Sequence, residues 1–144
     1  MKDRLVKVLF LSLMVLFVSC SSDDDSGPSL SQESRDLVGV WYLDIIEIEG
    51  DSNILLVPCS QQIEYDFKNN LEYNRKDFAG DNPENCDEAA TSRGDWEDIQ
   101  NNILILNPLG SNPTQSFTIE FEGSNIFRLS SAGSSTVRVF RRKN

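Results

Sequence analysis

Two pairs of carboxylates stand at the spacing that acid–base chemistry would use: Glu64 with Asp66, and Glu120 with Glu122. Such a pair supplies one proton donor and one acceptor when both members face a common substrate. On a strand, residues two apart do share a face. Each pair, however, alternates with apolar residues, Ile63-Tyr65-Phe67 and Phe117-Ile119-Phe121. The carboxylates therefore fall opposite the apolar stripe and read as solvated exterior. The chain has no histidine. That removes the commonest general base and the commonest zinc ligand, and it leaves the many serines without a Ser-His-Asp arrangement. Asp81, Asn82, Glu84, Asp87 and Glu88 crowd one stretch with oxygen ligands, but without the Asp-x-Asp-x-Asp-Gly order of a calcium loop. No catalytic residue, metal or cofactor is assigned, and an enzyme is the reading these residues support least.

Three cysteines remain, Cys20, Cys59 and Cys86, an odd number for an exported chain. Cys20 has its own context. Lys2, Arg4 and Lys7 form a positive start, and Val8 to Val18 is an uncharged apolar run. Eleven residues suit the core of a signal peptide and are too few to span a bilayer as a helix. The run ends in Leu16-Phe17-Val18-Ser19-Cys20, which resembles a lipobox, with Phe17 where a smaller aliphatic is usual. Residues 1–19 are thus expected to be a lipoprotein signal peptide, with Cys20 acylated after cleavage. Residues 20–34, rich in Ser, Asp, Gly and Pro, read as a flexible tether. The Asp23–Asp25 run resembles the acidic tract that sends some lipoproteins to the outer face of the outer membrane; otherwise it is an acidic linker. The expected location is the outer membrane, lipid-anchored and exposed at the cell surface.

The formal charge of the whole chain is −10, and the segment 1–19 holds Lys2, Arg4, Lys7 and Asp3. A chain starting at Cys20 has 10 basic and 22 acidic side chains, a formal charge of −12. Such a surface repels phosphate backbones, so nucleic acid is an unsuitable partner.

The elements that must position any site are short strands. Ser31 to Val38 suits one short helical turn, and period-two patterning follows. The first strand covers about Val40 to Glu49, with Trp41, Leu43 and Ile45 on one face. The second runs from Gln61 to Lys68, and Asn69-Asn70 supplies a tight turn because Asn tolerates left-handed backbone. The third holds Leu71 to Asn74, and residues 79–88 form a polar loop. The others are placed near Ala90–Asp98, Ile103–Leu106, Gln115–Glu122, Asn125–Ser130 and Thr136–Arg142. Eight short strands joined mostly by tight turns suggest an all-β, antiparallel up-and-down barrel over residues 35–144, with an open sandwich as the other architecture.

Gly39-Val40-Trp41, opening the first strand, resembles the lipocalin signature. From Leu37 to Lys143 the chain is similar to the lipocalin-like domains of bacterial surface lipoproteins. The likeness rests on LVGVWYLDIIEIEG, on Pro58-Cys59, on a second Gly-x-Trp at Gly94-Asp95-Trp96, and on the basic last strand VRVFRRK. The resemblance implies that Gly39 and Trp41 close the narrow end of the barrel under an arginine of the last strand. Arg138 and Arg141 are the two candidates.

Cys59 and Cys86 then fall at the same end of one hairpin, on either side of the second and third strands. That places them within disulfide reach and fits an oxidising compartment. A redox-active pair is the weaker reading, since neither cysteine lies in Cys-x-x-Cys or beside a cation. Tyr65, Phe67, Tyr73, Trp96, Phe117, Phe121 and Phe127 are the inward-facing aromatic candidates for a ligand site. Eight strands enclose an interior that side chains just fill, or that holds one small molecule. Two functions follow: a barrel that takes a small apolar or amphipathic ligand, or a solid barrel that contacts another envelope protein.

Overall fold

The computed structural model describes residues 29–48, 57–110 and 112–144. The expected signal peptide, the expected lipidation site Cys20 and the expected tether up to residue 28 lie outside the described residues. A short helix, α1 (Gln32–Leu37), comes first. Eight strands follow: β1 (Gly39–Ile48), β2 (Ile63–Phe67), β3 (Glu72–Ala79), β4 (Asp87–Trp96), β5 (Ile103–Pro108), β6 (Gln115–Glu122), β7 (Ile126–Ser130) and β8 (Thr136–Arg142). Each pairs antiparallel with its sequence neighbours, and β8 returns to β1, so the sheet is a closed eight-stranded barrel. Closure leaves no sheet edge at the seam, and the inward side chains make one core. Trp41, Tyr65, Phe67, Tyr73, Trp96, Leu104, Leu106, Ile119, Phe127, Leu129 and Phe140 are all buried in it.

The folded body starts earlier than the tether boundary at residue 34 implies. Leu30 is buried, and Ser31 caps α1 by accepting a hydrogen bond from the Ser34 N–H. The Ser34 hydroxyl is fully buried and accepts from the Ile99 N–H at 2.7 Å. Residues 30–34 are thus packed against the β4–β5 connection. Their composition is polar, but their hydroxyls are spent on backbone N–H groups rather than on water.

Three local features depart from the simple alternation. The β1–β8 register shifts between Leu43 and Ile45, which makes Asp44 an extra residue in β1. A bulge of this kind moves every later side chain to the other face. Ile46, not Ile45, consequently packs against the core. At the β2–β3 turn, the left-handed residue is Leu71 (φ 67°) rather than either asparagine. The Leu71 N–H donates to Lys68 O and the Lys68 N–H to Glu72 O, a turn that needs a left-handed residue at its end. The conformation costs about 1–2 kcal/mol in an L-residue. Packing of the Leu71 side chain against the core offsets it.

The third departure is the hairpin of β3 and β4. Its strands run to Ala79 and from Asp87, so the polar loop shortens to residues 80–86. From Asp87 to Arg93 every β4 residue is exposed. A ribbon wetted on both faces carries no apolar alternation, which is why the pattern stops short of it. Cys59 and Cys86 are joined in a disulfide with Cα atoms 5.4 Å apart, tying the turn before β2 to this hairpin.

Candidate functional site

The two ends of the barrel differ. One end is shut by α1. There the Trp41 indole N–H donates to Leu37 O at 2.6 Å, and the Phe127 ring meets the indole edge-on at 4.7 Å. The cation over the indole is Arg142, with its guanidinium carbon 4.2 Å from the ring centre. Neither Arg138 nor Arg141 takes this place. The reason is register and parity. Trp41 pairs with Arg142 across the seam, and inward positions on β8 alternate as Arg138, Phe140 and Arg142. Arg141 points outward and holds Asp44 at 2.9 Å. Arg138 points inward but stands beside Ile46 and Leu129, towards the other end.

Arg142 also donates to three main-chain carbonyls, Val38 O at 2.8 Å, Ser124 O at 2.9 Å, and Asp36 O. It therefore clamps the end of α1 and the β6–β7 turn over the indole. Gly39 lies directly below, at φ 133°, where a Cβ would stand 2.5 Å from an Arg142 nitrogen. Arg142→Met is expected to destabilise by about 2 kcal/mol, from the cation–π contact and the charge-assisted hydrogen bonds. Arg141→Met, which breaks an exposed ion pair, is expected to leave the denaturant midpoint nearly where it was. Denaturant midpoints of the two variants decide between the arginines.

The second Gly-x-Trp works the same end from the far side. The Trp96 indole N–H is shared between Lys68 O and Glu72 O, at 3.2 and 3.1 Å, which seals the β2–β3 turn. A Cβ on Gly94 would collide with Asn107 O, Pro108 Cα and the Tyr73 ring, so only glycine lets β5 approach here. Above this floor, aromatic rings pack on one another. Phe67 meets Trp96 at 5.9 Å, Phe127 stacks on Phe140 at 4.8 Å, and Tyr65 lies 5.7 Å from Phe140. These ring contacts fill this half of the barrel.

Among the described residues, the opposite end holds an open hollow. A cavity of about 400 Å³ is lined by Tyr65, Arg75, Gln115, Ser116, Phe117, Leu129, Ser131, Arg138 and Phe140. Of the seven aromatic candidates, only Tyr65 and Phe117 reach it. Phe67, Tyr73, Trp96, Phe121 and Phe127 pack into the core without lining the cavity. Sequence reasoning misses Arg75 because β3 continues past Asn74, and it offers Arg138 only as one of two candidates for the indole. Arg75 donates twice to one oxygen of Asp77, at 3.0 and 2.6 Å. Burial raises the Tyr65 phenol above its ordinary value, so it keeps its proton at neutral pH.

The carboxylate pairs stand outside the barrel, as their alternation requires. Glu64 meets Lys143 at 2.7 Å and Lys76 at 3.6 Å, and Glu122 meets Arg128 at 2.7 Å. Among the described residues no three of His, Cys, Asp and Glu stand together as a metal site.

A family profile described as "Lipocalin-like domain" matches residues 37–127. The matched stretch holds both Gly-x-Trp segments, while most of β7 and all of β8 complete the barrel beyond it. A comparison with curated proteins finds no match.

Proposed function

The chain belongs to the family of lipocalin-like domains, and from that premise we propose a binding module, not an enzyme, that takes one small amphipathic molecule at the open end of its barrel. The cavity of about 400 Å³ carries this reading. Binding cavities for small molecules fall at about 300–1,000 Å³ and combine apolar walls with a few convergent polar groups. Here Phe117, Leu129 and Phe140 supply the apolar wall, and Ser116, Ser131, Gln115 and two arginines the polar one. A barrel serving only as a docking block needs no such hollow.

We further propose that the module works outside the cytoplasm on a lipid anchor at Cys20, at the surface of the outer membrane. The residues around Cys20 and the disulfide both support that address. The mass of the processed protein tests it: a chain beginning at an acylated Cys20 is expected, and an unmodified Cys20 removes the anchor.

For the cavity, titration with fluorescent fatty acids is expected to show saturable binding at one site. Ser131→Trp, which places an indole in the hollow, should abolish that binding and leave the free energy of unfolding within about 0.5 kcal/mol. Absence of saturable binding to the unaltered protein would sink the proposal.

A further inference from the structure

The cavity places two guanidiniums, Arg138 and Arg75, inside a protein whose formal charge is −10. Arg75 is matched by Asp77. Among the described residues Arg138 has no carboxylate within 4.0 Å. Every other arginine of β7 and β8 has a partner of its own: Arg128 holds Glu47 and Glu122, Arg141 holds Asp44, and Arg142 holds three carbonyls. Among the described residues of β7 and β8, the arginine left without a carboxylate or carbonyl partner is thus the one that faces the hollow. Taking a guanidinium partly out of water is unfavourable unless a counter-charge meets it.

Resting on the reading of the cavity as a ligand site, we propose that its ligand is a monoanion: an organic carboxylate with a short apolar tail. Its headgroup sits at Arg138, with the Tyr65 hydroxyl and Arg75 on the same wall, and its tail lies on Phe117, Leu129 and Phe140. Charge sets the valence. Two guanidiniums and the Asp77 carboxylate leave one net positive charge, which one carboxylate balances and a phosphate dianion overshoots. Shape agrees, since a guanidinium fork meets a carboxylate through two parallel hydrogen bonds. The protonated phenol can add a donor. The acidic exterior does not forbid the approach, because at physiological salt its field decays over about 8 Å.

Three ligands of equal chain length test this on the purified full chain by calorimetry: octanoic acid, octanol and octyl phosphate at neutral pH. Octanoate is expected to bind about ten- to a hundredfold more tightly than octanol, the range of one charge-assisted hydrogen bond. Arg138→Gln should erase that preference by weakening octanoate far more than octanol. Equal binding of acid and alcohol, or a preference that survives Arg138→Gln, overturns the anion site and leaves the apolar cavity standing. Tighter binding of octyl phosphate overturns the carboxylate. If none of the three binds, the reading of the cavity as a ligand site falls as well. The comparison of the three ligands on the unaltered protein holds even if the variant does not fold.

Discussion

Replacing Trp41 with alanine is expected to destabilise the barrel by about 3–5 kcal/mol, the usual cost of emptying a fully buried aromatic site. The indole is fully buried, and four structures converge on it: α1, the β1–β8 seam, β7 through Phe127, and the Arg142 clamp. Removal leaves Leu37 O without its donor and Arg142 without its ring. The Arg142 guanidinium lies so close over Gly39 that a Cβ there would stand 2.5 Å from its nitrogen, which leaves the neighbours little slack to fill the space. A domain of this size has about 5–15 kcal/mol in total, so the variant stands near unfolding at room temperature. Trp41→Phe separates the contributions. It keeps a ring for Phe127 but has no N–H for Leu37 O, and should cost about half as much. Guanidinium unfolding of the two variants is the measurement. A loss under about 1 kcal/mol for alanine would show that the end of the barrel is held by something other than this cluster.

The same cluster shows what a sequence does and does not disclose. The eight strands are legible because seven of their connections are short or marked by turn residues and because most strands have one wet and one dry face. Trp41 is legible from Gly39-Val40-Trp41. The arginine above it is not, because a bulge at Asp44 offsets the seam by one residue and alternation alone cannot reveal an offset. Parity was available: with Phe140 inward, Arg138 and Arg142 are inward together, and Arg141 is excluded. The choice between the inward two depends on height along the barrel axis, which register decides.

Height also explains the partial reading of the cavity. Inward aromatics look alike in sequence whether they floor the barrel or line its mouth. Strand direction sorts them. β2 and β6 run towards the closed end, so Phe67 and Phe121 lie near α1 while Tyr65 and Phe117 stand further out. β3 and β7 start at the closed end, which sends Tyr73 and Phe127 to the floor. The polar half of the lining is harder to foresee. Arg75 lies on a ribbon whose apolar alternation has already faded, and Gln115, Ser116 and Ser131 resemble the ends of strands rather than the walls of a pocket.

At that open end the Cys59–Cys86 disulfide is the second large contribution to stability. The double variant Cys59→Ser with Cys86→Ser is expected to lose about 3–4 kcal/mol. The bond spans 27 residues of sequence, and closing a loop of that length removes this much chain entropy from the unfolded state. For a domain this size the loss lowers the melting temperature by roughly 10–15 °C. The double change matters, because one serine alone would leave a thiol in the position of Cys59, which is buried at 1% exposure. The native turn has other ties, which should hold its shape without the bond. The Gln62 side chain bridges Val57 O and Pro83 O at 3.1 and 3.0 Å, and the Asn82 side chain accepts from the Glu84 N–H. The cavity should therefore keep its ligand preference in the double variant while its thermal limit falls. Reductant supplies the control: dithiothreitol should lower the melting temperature of the unaltered protein to that of the double variant and leave the variant unmoved. A drop under about 3 °C would mean that the unfolded chain gains little freedom when the bond is cut, and the loop-entropy account would fail for this barrel.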